Sequence, residues 1–180
     1  MFARNFFKHP RMLGSPITSP RPLIDDLLGR VAWDDARVIV EYGPGVGDFT
    51  HEILRRMNPE AQLVIIETND EFVQFLREWL PDPRLHIVHG SAVQVGPLLQ
   101  QLGCKQADYV ISGIPFSTMP AVLRERILAA TCSVLQPRGA FLAYQYSRRV
   151  SPSLNKVFGQ VHRNFRLLGF LPVWLFHCRP

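Results

Sequence analysis

The stretch from Val38 to Thr50 narrows the choice of fold more than any other part of the sequence. It reads V-I-V-E-Y-G-P-G-V-G-D-F-T, in which three β-branched residues precede a glycine loop and the start of a helical pattern. The β-branched run predicts a strand buried on both faces. Glycines let a ligand approach the backbone, and the first N–H groups of the next helix are free to bind it. We expect a ligand cradle here. The alternative is a strand–turn–helix corner that binds nothing.

Acidic residues near this loop indicate what kind of ligand it binds. The loop glycines are Gly43, Gly45 and Gly47, a spacing unlike the G-x-G-x-x-G of dinucleotide-binding loops. Glu41 precedes them, and an acid there would repel a pyrophosphate and favour a ligand with an amine or another positive charge. A second predicted strand ends in Glu67, where an acid commonly binds ribose hydroxyls. A nucleoside with a cationic tail fits both acids, and S-adenosylmethionine is such a molecule.

The loop resembles motif I of the class I S-adenosylmethionine-dependent methyltransferases, and Glu67 resembles their motif II acid. After the third strand, many enzymes of this class place an acid near the adenine amine, where this chain has Ser91. The resemblance implies S-adenosyl-L-methionine as the cofactor. The cofactor-binding residues that it implies are Glu41, Tyr42, Gly43, Gly45, Gly47, Glu67, Thr68, Ser91, Ala92 and Ser112.

From residue 36 onward, strand patterns and helix patterns alternate along the chain. The predicted strands are 38–42, 63–67, 85–89, 109–112, 140–146, 165–168 and 173–178. The predicted helices run from about 20 or 22 to 28, and over 48–57, 70–80, 93–102, 121–134 and 153–158, with Ser19 as the first cap and a turn at 136–139. With the resemblance, this alternation predicts an α/β, Rossmann-like fold: a doubly wound, seven-stranded, mostly parallel sheet with a C-terminal antiparallel strand. Ligands bind beyond the carboxyl ends of such strands.

The segment S-G-I-P-F, residues 112–116, ends the fourth predicted strand and should lie at the mouth of the site. It resembles motif IV, N/D-P-P-Y/F or N-L-P-Y, of methyltransferases that modify amino nitrogens. Ser112 replaces the Asn or Asp of that motif, as in the bacterial phospholipid N-methyltransferases of the phosphatidylethanolamine type. The resemblance implies that Phe116 presents its ring face to the substrate. The alternative is a turn whose Phe116 fills the core.

The resemblance to the phospholipid N-methyltransferase family covers most of the chain. The N-terminal F-F-K-H-P-R-M-L-G-S-P-I-T-S-P and the segment E-T-N-D-E-F at 67–72 are similar to that family. The chain departs from the family near its C-terminus, where R-N-F at 163–165 and L-P-V-W at 171–174 replace an N-L-P-P-like segment. The resemblance implies transfer of methyl groups to the amine of a phospholipid head group such as phosphatidylethanolamine.

Several residues are expected to contact the methyl acceptor. The implied catalytic residues are Ile114, Pro115, Phe116 and Tyr146. Tyr146 resembles a family tyrosine near the head group, and an aromatic face stabilises a methylated ammonium. Tyr144, Tyr146 or a water molecule could accept the proton that the amine loses. Arg148 and Arg149 are expected to hold a lipid phosphate, with a solvated basic loop as the alternative.

The N-terminal residues predict a separate extension, 1–30, ahead of a methyltransferase domain at 31–180. Residues 1–14 combine aromatic residues with Arg4, Lys8 and Arg11, and this mixture suits a segment lying in a membrane interface. Packing on the domain as a lid over the cofactor is the alternative. The segment lacks the continuous apolar stretch of a signal peptide.

Composition limits the partners and the compartment. The formal net charge is +5 and the three cysteines form no C-x-x-C pair, which favours a reducing cytosol without a disulfide framework. No His or Cys spacing indicates a metal site, so we expect no metal. A basic chain suits an anionic membrane or nucleic acid. The resemblance favours the membrane surface, on its cytoplasmic face, with a phospholipid as substrate and nucleic acid as an unlikely partner.

Two other functions stay open at this stage. The basic charge and the I-P-F loop also suit an adenine N-methyltransferase similar to the ribosomal RNA dimethylases, which usually add a C-terminal helical domain. Ser91 and Ser112 leave room for a binding protein that kept the fold without turnover.

Overall fold

A computed structural model describes residues 19–180, which form one seven-stranded sheet with helices on both faces. The strands are β1 Val38–Tyr42, β2 Gln62–Glu67, β3 Leu85–His89, β4 Ala107–Ser112, β5 Leu135–Gln145, β6 Gln160–Leu168 and β7 Leu171–Arg179. The helices are α1 Arg21–Leu28, α2 Asp48–Arg56, α3 Asp70–Trp79, α4 Val95–Gln101, α5 Ala121–Val134 and α6 Ser151–Val157. Short 3₁₀ turns at Ala92–Gln94 and Arg148–Val150 precede α4 and α6.

The strand order is β3-β2-β1-β4-β5-β7-β6. Six strands run in the same direction, and β7 runs in the opposite direction between β5 and β6. The predicted fold class is therefore confirmed. β1 lies between β2 and β4, and its Ile39, Val40 and Tyr42 are fully buried because helices cover both faces. Tyr42 pairs with Ile66 on one side and with Ser112 on the other. This register brings the carboxyl ends of three strands to one edge of the sheet.

β5 begins earlier than predicted. The segment 136–139, expected to form a turn, is part of a strand that starts at Leu135 and whose pairing with β4 shifts register. Gly139 packs so tightly that a Cβ there would lie 2.7 Å from the carbonyl oxygen of Asp108. Glycine has no side chain to obstruct this close approach of two backbones. The segment 136–139, whose sequence is typical of a turn, can therefore form part of an irregular strand.

Helix α1 packs against the sheet through four buried residues, Leu23, Ile24, Leu27 and Leu28. Ser19 does not cap it: the first cap residue is Pro20, and the Ser19 N–H donates to Asp48 Oδ2 at 2.8 Å. The predicted division at residue 30 remains a prediction, and the segment 1–14 lies outside the described residues.

The buried carboxylate of Glu52 joins α1 to α2. It forms ion pairs with Arg21 of α1 and with Arg55 and Arg56 of its own helix. The hydrogen bond from Arg55, with weaker contributions from Arg56 and Arg21, lowers the pKa of Glu52 to about 2. The start of the described chain is therefore fastened beside the glycine loop. No helix within 19–180 has the length and apolar character needed to cross a bilayer.

Candidate functional site

A cavity of about 770 Å³ lies at the carboxyl ends of the parallel strands. Residues at or just after the ends of β1, β2 and β3 form its glycine-loop side, which includes Gly43, Gly45, Glu67, Thr68, Ser91 and Ala92. Residues at the ends of β4 and β5 form its tyrosine side, which includes Ile114, Pro115, Tyr144, Gln145 and Tyr146. The volume lies in the range of small-molecule sites. Nine of the predicted site residues therefore share one cavity.

The glycine loop has the backbone conformation that its sequence requires. Gly43 and Gly45 have φ values of +64° and +56°, in the left-handed region that favours glycine. The Gly43 N–H donates to the Ile66 carbonyl oxygen at 3.0 Å, which ties the loop to β2. No atom lies within 4 Å of the position that a Cβ of Gly45 would occupy. The loop backbone is therefore accessible to a ligand at Gly45.

Glu67 ends β2 with its carboxylate on the glycine-loop side of the cavity. Its Oε1 accepts hydrogen bonds from the backbone N–H groups of Thr68 and Asn69, at 2.7 and 2.9 Å. Its Oε2 accepts a longer bond, 3.3 Å, from the Gly45 N–H. These bonds orient the carboxylate between β2 and the glycine loop, where it can accept hydrogen bonds from a diol.

Glu41 lies beneath the glycine loop and does not line the cavity, contrary to the expected direct contact with a ligand. It is 3% exposed, and its carboxylate accepts a hydrogen bond from Thr50 Oγ1 at 2.7 Å. Burial raises the pKa of Glu41 to about 8, against the Thr50 bond, and the nearby charges of Glu67 and Asp48 raise it further. Asp48, the first residue of α2, lines the cavity instead.

Three other predicted cofactor residues also lie outside the cavity wall. Tyr42 is fully buried, and its hydroxyl pairs with Thr131 Oγ1 at 3.2 Å. Gly47 has φ +89° at the start of α2, where a Cβ would come within 2.8 Å of Leu76 Cδ2. Ser112 is fully buried and its Oγ accepts from the Ile114 N–H at 3.2 Å. These residues shape the loops around the cavity and make no side-chain contribution to its wall.

Phe116 differs from the expected arrangement. Its ring is 1% exposed and packs edge-on against Phe141, with ring centroids 6.0 Å apart. The prediction that this ring faces the substrate is therefore corrected: the ring fills the core. Burying the Phe116 ring in the core stabilises the fold more than a position at the cavity mouth would.

The two predicted phosphate-binding arginines lie next to the cavity but do not line it. Ser147 lines the cavity, and Arg148 and Arg149 follow it in exposed positions. The Arg148 guanidinium lies 5.3 Å from the centre of the Trp174 ring of β7. A phosphate-binding role for these residues stays a prediction.

Gln145 holds the loop after β4 in place. Its Nε2 donates to the carbonyl oxygens of Ile114 and Tyr144 at 2.7 and 2.6 Å. Its Oε1 accepts from both the N–H and the hydroxyl of Ser117, each at 3.3 Å. Because Gln145 is 4% exposed, these bonds satisfy a buried amide. The side chain fixes the backbone of the tyrosine side.

Two tyrosine rings lie on the tyrosine side of the cavity. The rings of Tyr144 and Tyr146 have centroids 6.2 Å apart and planes at 80°. Phe49 of α2 stacks on Tyr144 at 5.5 Å. Tyr146 is 47% exposed, whereas Tyr144 is largely covered, and burial raises the pKa of both phenols. Both phenols are therefore protonated at neutral pH, which makes them weak proton acceptors.

Sequence reasoning missed Asp48, Phe72 and Gln145, all of which line the cavity. Asp48 had a local signal, because it directly follows the last loop glycine at a helix start. Gln145 had none, since its partners Ile114 and Ser117 are 31 and 28 residues away. Within residues 19–180, no three His, Cys, Asp or Glu side chains are grouped so as to hold a metal ion.

The cavity fits a nucleoside with a positively charged tail. Its glycine-loop side offers open space at the Gly45 backbone, an oriented carboxylate at Glu67 and a second acid at Asp48. With the doubly wound sheet, these features define a class I S-adenosylmethionine-dependent methyltransferase, and S-adenosylmethionine is its cofactor.

The chain belongs to the ribosomal RNA adenine dimethylase family, whose sequence model matches residues 8–119. It is 29% identical over 185 residues to the ornithine lipid N-methyltransferase of Singulisphaera acidiphila, covering 99% of this chain and 94% of that enzyme. It is 24% identical to the ribosomal RNA small subunit methyltransferase A of Dehalococcoides mccartyi, covering 63% of this chain and only 38% of that enzyme.

A solved structure shares the fold: the precorrin-6y C5,15-methyltransferase of Geobacter metallireducens superposes with a TM-score of 0.70 at 15% identity, over 91% of this chain and 90% of that one.

Proposed function

We propose that this enzyme transfers methyl groups from S-adenosylmethionine to the amine of a membrane lipid head group. The observation that carries the proposal is the pair of nearly perpendicular rings, Tyr144 and Tyr146, on the wall where the acceptor enters. Aromatic faces attract an ammonium through cation–π interaction, and each added methyl makes that ammonium more apolar. Such a site favours an aliphatic amine that becomes increasingly methylated.

The cofactor is assigned to the glycine-loop side. Glu67 would accept hydrogen bonds from the ribose hydroxyls, and Asp48 faces the cavity where a positively charged tail would be stabilised. Ser91, Ala92 and Phe72 line the part of the wall assigned to the adenine. When bound, S-adenosylmethionine supplies a methyl group on a positively charged sulfur, so the methyl is already activated.

The acceptor amine must reach the methyl group in its neutral form, because a protonated amine has no lone pair. Protein positioning of two reacting groups contributes several kcal/mol to such a transfer. The Ile114–Pro115 backbone, fixed by Gln145, and the two tyrosine rings supply this positioning. Since both phenols remain protonated, the amine's proton leaves to water at the half-exposed Tyr146.

The likeness to the ornithine lipid enzyme supports a lipid acceptor, since it spans nearly the whole of both chains. Phosphatidylethanolamine is the head group that the sequence resemblance favours, and an amino-acid-containing lipid is the other acceptor to offer. We assign the enzyme to the cytoplasmic face of the membrane, held peripherally, with Arg148 and Arg149 beside the cavity to contact a lipid phosphate. Both arginines are exposed.

Ribosomal RNA is the second candidate substrate, and the family match over residues 8–119 favours it. The match covers only 38% of the ribosomal RNA small subunit methyltransferase A. An adenine amine in this cavity would stack on the same rings, so the two candidates share a site and differ in the acceptor.

Transfer of labelled methyl groups separates the candidates. Purified protein and labelled S-adenosylmethionine are offered phosphatidylethanolamine vesicles, ornithine lipid vesicles and bulk ribosomal RNA in parallel. Label in either lipid, with mono- to trimethylated products, is the expected result. Label confined to RNA would overturn the lipid assignment in favour of the second candidate.

A control guards the same experiment against an inactive preparation. Calorimetry first establishes that the protein binds S-adenosylmethionine. Binding without label in any of the three acceptors would contradict the proposal and favour a protein that kept the fold without turnover.

A further inference from the structure

Exposed apolar residues are concentrated at one edge of the sheet. In residues 19–180, eight large hydrophobic side chains are exposed: Trp79, Val122, Leu123, Tyr146, Phe165, Leu167, Phe170 and Leu171. Four of them belong to the β6–β7 hairpin. We name Phe165, Leu167, Phe170 and Leu171 the hairpin patch. Phe170, in the turn, is completely exposed.

The strand register places the hairpin patch beside the cavity. Gln145, the last residue of β5, pairs with Trp174 of β7, and Trp174 pairs with Phe165. Tyr146 of the cavity wall comes directly after Gln145. β7 begins three residues before Trp174, at Leu171. At about 3.3 Å per residue, the hairpin turn therefore projects about 10 Å beyond the end of β5.

Two residues of the hairpin patch, Phe165 and Leu167, lie on one face of the hairpin together with basic residues. Alternation along β6 puts Arg163, Phe165 and Leu167 on the same side, and the Phe165 ring lies 5.0 Å from that of Trp174. Arg148 lies over Trp174 on this side. The opposite side of β6 contacts α1, where Arg166 pairs with Asp26. Phe165 and Leu167 are therefore bordered by positive charge on the face away from α1, whereas Leu171 pairs with Leu168 on the α1 side and Phe170 lies in the turn.

The charge of the whole C-terminal region has one sign. Residues 146–180 contain six Lys or Arg and no Asp or Glu, whereas residues 1–145 contain fourteen Lys or Arg and fifteen Asp or Glu. The positive balance of the chain thus comes from the region that carries the hairpin patch. Apolar and aromatic anchors among arginines match an anionic lipid surface, in which the apolar groups enter the interface and the arginines meet phosphates.

We propose that the β6–β7 hairpin is a docking element that inserts Phe170 and its neighbours into an anionic membrane surface and so places the cavity mouth at the head groups. This inference rests on the proposed function, because it names the membrane as the partner of the same site. The projection of about 10 Å matches the depth to which interfacial segments bury apolar groups, about 5–10 Å.

The test is binding of the full chain to vesicles of phosphatidylglycerol and phosphatidylcholine, measured by flotation without any methyl donor. Phe170→Ser should weaken binding by about tenfold, since one buried aromatic side chain is lost from the interface. The matched control is Trp79→Ser, which removes a side chain that is 61% exposed on α3, away from the cavity. It should bind vesicles as the parent does.

Three results would overturn the inference. The first is equal vesicle binding by Phe170→Ser and the parent. The second is loss of RNA binding, without loss of vesicle binding, in Phe170→Ser. The third is a dimer of the parent that Phe170→Ser dissociates in sedimentation, because the hairpin would then contact a second copy. As no methyl transfer is measured, failure here leaves the acceptor experiment to decide the proposed function separately.

Discussion

Glu41 and Glu67 both belong to strands that end at the cavity, yet their carboxylates have different surroundings. Glu67 accepts three backbone hydrogen bonds at the cavity wall, whereas Glu41 has one hydroxyl partner beneath the glycine loop. At the scale of single residues, we therefore expect Glu67 to act in cofactor binding and Glu41 to reduce the stability of the fold at high pH.

Replacing Glu67 with Ala should weaken binding of S-adenosylmethionine at least about tenfold, because a carboxylate bonded to ribose hydroxyls contributes through charge-assisted hydrogen bonds. Calorimetry measures the dissociation constant, and the exposed Glu60→Ala is the matched control. Unchanged binding by the Glu67 variant would refute the position assigned to the ribose.

Replacing Glu41 with Gln should stabilise the folded protein at pH 8.5. Because burial raises the pKa of Glu41 from 4.5 to about 8, the folded state keeps a proton that the unfolded state loses. The free energy of unfolding of the parent therefore falls as pH rises from 4.5 to 8, by an amount on the order of a few kcal/mol. The free energy of unfolding of the Glu41→Gln variant should not show this decrease, because Gln does not ionise.

Urea unfolding of both proteins at pH 5 and pH 8.5 measures the difference. The variant should gain more over the parent at the higher pH. The same pH dependence in both proteins would mean that Glu41 is ionised in the folded state.

At the scale of elements, the tyrosine side of the cavity depends on contact between β5 and the loop after β4. Gln145, at the end of β5, bonds to Ile114 and Ser117 of that loop, and Ser112 supports it from β4. None of these bonds involves the glycine loop. The hydrogen bonds that hold the loop after β4 are therefore different from those that orient Glu67 at the glycine loop.

Gln145→Leu should lower kcat of methyl transfer about tenfold or more while changing the dissociation constant of S-adenosylmethionine less than about threefold. The substitution leaves the Ile114 carbonyl with one partner fewer and frees the loop that positions the acceptor. Steady-state kinetics and calorimetry measure the two quantities, and the exposed Gln160→Leu serves as control. An equal loss of cofactor affinity would indicate general disruption of the site.

At the scale of the whole molecule, we propose that two regions bind the membrane. The N-terminal segment was assigned from its sequence, and the β6–β7 hairpin from its register and exposure. Both regions are basic, and 19–145 carries eleven Lys or Arg against fifteen Asp or Glu. Stable membrane anchoring commonly needs two weak signals, which is why we expect each region to be necessary.

Deleting Met1–Gly14 should abolish measurable binding to anionic vesicles while the thermal unfolding of the remaining chain stays cooperative. Flotation and circular dichroism measure the two properties on the same preparation. Full retention of vesicle binding by the truncated chain would refute the membrane role of this segment.

Local patterns in the sequence predicted most of the strands and helices, and the family resemblance added the order of the sheet. β1, β3 and α5 begin and end at the predicted residues, because β-branched runs, apolar periodicity and proline signals act over short distances. The positive φ of Gly43 and Gly45 was equally predictable, since only glycine adopts it without strain.

Long-range packing decided the rest. Phe116 fills the core because Phe141 of β5 packs against it. Gln145 lines the cavity because its hydrogen-bond partners lie in a loop that is distant in the sequence. The hairpin patch is likewise a product of register, since pairing of Trp174 with both Gln145 and Phe165 sets it beside the cavity. Contacts between residues far apart in the chain leave no periodic signal, so only the tertiary structure determines which side chains meet at the site.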